Sequence, residues 1–172
     1  MSTYHRAYQP GGCYFFTVVT YNRCAILTNS EVLERVRKAF RRVQATRPFT
    51  IDAIVVLPDH LHCIWKLPPD EHDFSTRWRM IKHYVSTGID LPLNDRKEKL
   101  VWQRRFWEHL IRSEEDWRRH MYYIHYNPVK HGYVAKVSDW PHSSFHRAVK
   151  EDLYPPDWGT FEPDNVKKMH IE

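Results

Sequence analysis

The chain has 172 residues, with 26 Lys and Arg against 21 Asp and Glu, a formal net charge of +5, and twelve histidines besides. That length fits one domain that can bury a core without staples. Three scattered cysteines (Cys13, Cys24, Cys63) with no CxxC pair argue against a disulfide framework or a cysteine zinc site and suit a reducing compartment. The longest early apolar run, "CYFFTVV", is too short for a membrane span or a signal core. A soluble, cytoplasmic protein is expected.

In chain order, "YFFTVVTY" at 14–21, after Gly11-Gly12, reads as a β-branched and aromatic strand. "TNSE" at 28–31 has the form of a capping box, and the helix it opens places Val32, Val36, Ala39, Phe40 and Val43 on one side before Pro48. "FTIDAIVVL" leads to a second strand. Pro58-Asp59 marks a bend, and a third strand follows over 60–67. "FSTRWRMIKHYVST" forms a second helix ending near Gly88, and "IDLPLNDRKEK" is a polar connection. "RFWEHLIR" reads as a fourth strand, and "SEED" at 113–116 starts a third helix that Pro128 is expected to close. This order predicts an α+β fold of the ferredoxin-like, split βαβ kind: an antiparallel sheet with helices on one face, plus an extra helix. Residues 1–148 are expected to form one domain and 149–172 a tail.

The basic residues cluster in "RVRKAFRR" at 35–42, "RWRMIK" at 77–82, "QRRFW" at 103–107 and Arg118-Arg119, and aromatic rings are interleaved among them. Such a pattern suits a phosphate backbone with bases stacked on rings; the alternative is a set of solvated helix faces. The candidate DNA contacts are Arg77, Arg79, Lys82, Arg104, Arg105 and Lys130.

Two stretches carry the chemistry. In "VVLPDHLHCIW" (55–65), period-2 alternation points His60 and His62 to one face and Leu61, Cys63, Trp65 and Leu67 to the other. Either two histidines lie half-exposed on a solvated sheet face, or they form part of a site. In "SEEDWRRHMYYIHYNPVKHG" (113–132), Trp117, Met121 and Ile124 make an apolar stripe, while Asp116, His120, Tyr123 and Asn127 share a neighbouring face. Tyr123 and Asn127, four apart, can reach a common point, with Asn127 expected at the helix end. Alone, this reads equally as a tyrosine capping a core and an ordinary Asn-Pro terminator. Together the stretches offer two imidazoles and an amide oxygen to a divalent cation, with a tyrosine as oxygen nucleophile.

"HLH" on a strand followed by "YIHYNPVKHG" resembles the HUH endonucleases with one catalytic tyrosine, and within them the REP-associated tyrosine transposases. The likeness extends to "GGCYFFT", "DFSTRWRMIK", "WQRRFWEHLIR" and "VSDWPHSSFHR", nearly the whole chain. It implies metal ligation by His60, His62 and Asn127 and a Tyr123 nucleophile. It further implies Mg²⁺ or Mn²⁺ as cofactor, and cutting and rejoining of single-stranded DNA near palindromic hairpins through a 5′-phosphotyrosine. Insertion-sequence relatives more often carry glutamine where Asn127 stands, and asparagine points to the REP-associated branch.

The partner implied is single-stranded or hairpin DNA, in the cytoplasm and associated with the nucleoid, with no membrane and no small-molecule substrate. A monomer is favoured over a dimer. A histidine-triad hydrolase would want a histidine where Ile64 stands, a zinc hydrolase lacks a third strong ligand nearby, and a hairpin-binding protein without chemistry is the remaining alternative. The acidic, proline-rich tail is expected to supply no core. It either lies across the DNA site and restrains activity, or packs through Tyr154, Trp158 and Phe161 on the back of the domain.

Overall fold

The computed structural model describes residues 6–169 and 171. Residues 1–5 of the expected domain, and 170 and 172 of the tail, lie outside the described residues. Strand β1 (Cys13–Val19) takes a central place in a four-stranded sheet of order β2-β3-β1-β4, in which every pairing is antiparallel. Helix α1 (Ser30–Thr46) carries the chain to β2 (Thr50–Val56), and a tight turn leads to β3 (His60–Lys66). Helix α2 (Phe74–Thr87) then crosses to β4 (Trp107–Leu110). This is the split βαβ arrangement expected of the sequence, and α3 (Glu114–Lys130) is the added helix.

The polypeptide backbone supplies the local reasons. The Leu57 N–H bonds the His60 carbonyl at 2.9 Å, which closes the bend at Pro58-Asp59. Asn29, rather than Thr28, caps α1: its amide oxygen accepts from the Glu31 and Val32 N–H groups. Asparagine is at least as good a cap as threonine, and from this position it satisfies two first-turn donors.

Alternation along the strands sorts the side chains into two cores. Phe16, Leu61, Cys63 and Trp65 face α1 and α2, where Trp65 stacks on Trp78 with ring centroids 4.4 Å apart. Phe15, Val55 and Ile64 face the opposite side, which is covered by Met121 and Ile124 of α3 and Phe145 of α4 (Phe145–Lys150). Helices on one face therefore describes α1 and α2 alone; α3 occupies the other face. Covering both faces buries the apolar side chains of the sheet on each side.

Two expectations for the C-terminal third are corrected. Pro128 does not close α3, which runs on to Lys130. The true stop is Gly132, at φ +73, where the Gly132 N–H bonds the Val129 carbonyl and the Tyr133 N–H bonds the Pro128 carbonyl, both at 2.9 Å. This is a Schellman ending, which wants glycine in the left-handed position. One backbone bond is lost at Pro128, whose ring is buried, and packing offsets it.

The tail is also not excluded from the core. Tyr154, Val166 of α5 (Asp164–Lys167) and Met169 are buried with α3, and Trp158 stacks on Tyr154 at 4.5 Å. Of the three aromatics expected to dock, only Phe161 stands in solvent. Segment 142–144 covers the outer edge of β2 through the Val56 N–H to His142 carbonyl and Ser144 N–H to Ile54 carbonyl bonds, both 2.8 Å. That cover removes an open edge strand.

The tail is tied down through His125, whose ring nitrogens face the Tyr154 hydroxyl at 3.0 Å and the Ser144 hydroxyl at 2.8 Å. Truncation after Lys150 removes three buried side chains, each worth about 2–5 kcal/mol. The truncated chain is expected to lose its cooperative unfolding transition, and an unchanged melting temperature would place the tail outside the core. Burial, helped by the charge of Arg147, pushes the His125 pKa down to about 3. An unfolded histidine titrates near 6.5, so below that pH the unfolded chain takes up a proton that the fold refuses. Stability is therefore fully present above about pH 6.5 and declines by up to ~1.4 kcal/mol per pH unit as pH falls toward 3. Thermal unfolding between pH 7 and pH 5 should show a shallower decline for His125→Gln; an equal slope would count against this origin.

Candidate active site

Strand β3 turns His60 and His62 toward α3, and both are buried, with 1% and 0% of their surface exposed. The solvated-face alternative for this pair is thereby ruled out. Their ring centroids lie 4.9 Å apart at 81°. His60 Nδ1 meets Asp59 Oδ1 at 2.6 Å, and His62 Nδ1 meets Thr17 Oγ1, from the register partner on β1, at 2.8 Å. Burial works to raise the Asp59 carboxyl, yet bonds from His60 and Arg23 hold it below the usual carboxylate range. A carboxylate can only accept, so His60 donates to Asp59 from Nδ1. Outer oxygen partners of this kind orient imidazoles that bind metal ions.

Tyr123 reaches this pair from α3. Its ring lies edge-on to His62, centroids 5.2 Å apart at 71°, and Phe15 of β1 packs within 6.0 Å of both rings. One turn on, Asn127 is fully buried on the same helix face, within the last turns of α3 rather than at its end. The four residues expected to form the site thus come from two elements that the second core clamps together. Tyr122 and Tyr126 point elsewhere: Tyr122 packs on Tyr154 and Trp158, and Tyr126 lies beside Gly159 of the tail. A donor set of two imidazoles and one amide oxygen fits a divalent metal ion.

The expected DNA contacts divide. Arg79, Arg104, Arg105 and Lys130 are exposed, with Arg104 paired to Glu98 at 2.8 Å. Lys82 is half-buried over Phe106 and donates to the Gln103 carbonyl at 2.8 Å; burial and the nearby Arg6 lower its ammonium pKa to about 8. Arg77 is no surface group at all. Its guanidinium is fully buried and donates to the carbonyls of Arg47, Pro48 and Asp73 and to the Glu71 carboxylate. The helical pattern that made "RWRMIK" look like a basic face in fact turns Arg77 inward beside Trp78.

Three features escaped the sequence reading. Lys130 is placed beside Tyr123, its ammonium 3.5 Å from the Tyr123 hydroxyl and 4.7 Å from the ring centroid; the seven-residue spacing on one helix would have found it. His131 brings a third imidazole within 5.3 Å of His60. Among the described residues, one set of three His or Asp side chains has ligand atoms within 4.8 Å of one another: His109, Asp116 and His120. Asp116 and His120 are four apart on α3, but no local signal ties His109 to them.

A buried His-apolar-His strand facing a helical tyrosine on a split βαβ sheet defines a class of protein. Residues 11–127 match the family described as "Transposase IS200 like", and the chain belongs to that family. Its likeness within the family lies with the REP-associated tyrosine transposases. It is 50% identical over 158 residues to the "REP-associated tyrosine transposase" of Escherichia coli (strain K12), covering 92% of this chain and 91% of that relative. It is 43% identical over 167 residues to the "Putative REP-associated tyrosine transposase" of Haemophilus influenzae (strain ATCC 51907 / DSM 11121 / KW20 / Rd), covering 92% and 94% of the two chains. A solved structure titled "Structure of the REP associates tyrosine transposase bound to a REP hairpin" superposes with a TM-score of 0.84 at 48% identity, covering 95% of this chain and 94% of that one. Among the described residues no helix is long and apolar enough to cross a membrane.

Arg77→Met leaves the carbonyls it served without their donor, and losing one partner of such a buried set costs about 3–5 kcal/mol. The variant is expected to melt several degrees lower. An unchanged melting temperature with weakened DNA binding would return Arg77 to the nucleic-acid surface.

Proposed function

We propose that this protein is a metal-dependent single-stranded DNA endonuclease and strand transferase that acts beside REP-type hairpins. The observation that supports it most is the buried constellation of His60, His62, Tyr123 and Asn127 in a chain of this family, with Nδ1 of both imidazoles held by outer oxygens. Affinity for hairpin DNA is carried over from the relative whose structure is titled as bound to a REP hairpin.

The Tyr123 oxygen forms a bond to the scissile phosphorus as the bond to the 3′ oxygen breaks. The products are a 5′-phosphotyrosine and a 3′-hydroxyl, and the reverse attack rejoins a strand without another energy source. Phe15 and His62 fix the tyrosine ring, so the attacking oxygen is positioned before DNA arrives. Lys130 places a cation next to that oxygen, where it favours the ionised phenol and meets the incoming phosphate. His60, His62 and Asn127 would hold Mn²⁺ or Mg²⁺, which supplies Lewis-acid polarisation of the phosphate oxygens when bound.

Tyr123→Phe is expected to abolish the covalent protein–DNA adduct on a denaturing gel while leaving hairpin affinity within a few-fold. His60→Ala and His62→Ala should each lose cleavage. Thr17→Val, which removes only the outer partner of His62, should raise the Mn²⁺ concentration needed by roughly 10- to 100-fold. An adduct that persists in Tyr123→Phe, or full cleavage in excess chelator, would contradict the reading. Hairpin binding without adduct in the wild-type protein would instead indicate a binding protein that keeps the fold.

A further inference from the structure

We propose that Trp107 is a stacking platform for one unpaired base of the DNA strand that enters the site, an inference that rests on the function proposed above. Trp107 lies at the start of β4 with 40% of its surface exposed, a large apolar ring left in solvent beside a buried site. Its register partner is Thr17 on β1, whose own partner across the sheet is His62 on β3. Trp107, Thr17 and His62 therefore form one row over three strands. Two strand spacings separate the ends of the row, about 10 Å between backbones. A strand whose phosphate sits at Tyr123 thus passes Trp107 within about three nucleotides if stacked at ~3.4 Å each, and sooner if stretched.

The indole is fixed in place. It lies parallel to His109, at 7° with centroids 6.0 Å apart, and His109 lies parallel to His120 of α3, at 18° and 4.7 Å. Asp116 ties the ladder together, accepting from His109 at 2.8 Å and facing His120 Nδ1 at 3.2 Å. Burial works to raise the Asp116 carboxyl, but bonds from His109 and the Arg112 N–H hold it below its usual range, so the anchor stays charged. Phe15 closes the inner side, its ring at 71° to the indole and 5.7 Å away, and the same Phe15 packs on Tyr123 and His62. One side of the ladder is thus continuous with the catalytic core, and the other ends in an exposed ring. Arg104 and Arg105, both exposed, precede it in the chain and supply charge for the backbone of the same strand. A ring held in advance loses little freedom when a base stacks on it. Stacking reads the π-face common to all bases, so the platform orders the strand without choosing its sequence.

The test uses full-length protein and hairpin oligonucleotides carrying 2-aminopurine at single unpaired positions beside the stem, with a bare stem as control. The wild-type protein is expected to quench the probe strongly at one such position. Trp107→Ala should lose that quench and bind the flanked hairpin roughly ten-fold more weakly, Trp107→Phe should keep most of the affinity, and affinity for the bare stem should be unchanged in each. A retained quench or equal affinity in Trp107→Ala overturns the assignment alone, as does an equal loss on the bare stem, which would mark a structural role. A wild-type protein that binds neither oligonucleotide overturns the DNA reading and this inference together.

Discussion

The site depends on one packing constraint: α3 must seat on the face of the sheet toward which β3 turns its histidines. Because side chains alternate along a strand, Leu61, Cys63 and Trp65 can serve the α1–α2 core only if His60, His62 and Ile64 face the other way. A slip of one residue would send both histidines into the Trp65–Trp78 core and bring the large apolar groups under Tyr123. Register is therefore specified by burial on both faces. Phe15 is the hinge pin of the arrangement, since its ring touches His62, His120, Tyr123 and Trp107 at once.

On that frame the polar groups arrive in pairs. Buried imidazoles are costly without partners, and here each Nδ1 has an oxygen fixed by the backbone, from Asp59 in the turn or Thr17 on the neighbouring strand. Asp59 is itself held by Arg23, so the charge beside His60 is balanced before any ligand arrives. The same logic governs α3 on its outer side. His125, two residues beyond Tyr123, anchors Tyr154 and Ser144, and so joins helix, tail and the β2 edge cover in one network. The tail is thus packed against the same helix that carries Tyr123.

Much of this was legible in the sequence because it rests on periodicity. The period-2 pattern of "HLHCIW" gave the two faces of β3, and the 3.6-residue period of α3 brought Tyr123 and Asn127 to one side. What failed were inferences from single residues. Pro128 carries a local penalty that predicts a helix end, yet Gly132 offered a better one and tertiary packing overrode the penalty. Arg77 looked like a surface cation because arginine is rarely buried, but four acceptors from two segments, 47–48 and 71–73, meet its fork. Composition made the tail look unsuited to a core, although three of its apolar residues suffice to dock it. The ring ladder from Trp107 to His120 joins residues of β4 and α3 whose contact no local rule shows.

The most direct test of the central claim is anomalous diffraction at the manganese edge from crystals of this protein with Mn²⁺ and a hairpin bearing a single-stranded flank. The expected result is one strong peak coordinated by Nε2 of His60 and His62 and by the Asn127 amide oxygen, with the Tyr123 oxygen directed at a phosphate. A peak held by His109, Asp116 and His120 alone, or a Tyr123 turned away from the DNA, would contradict it.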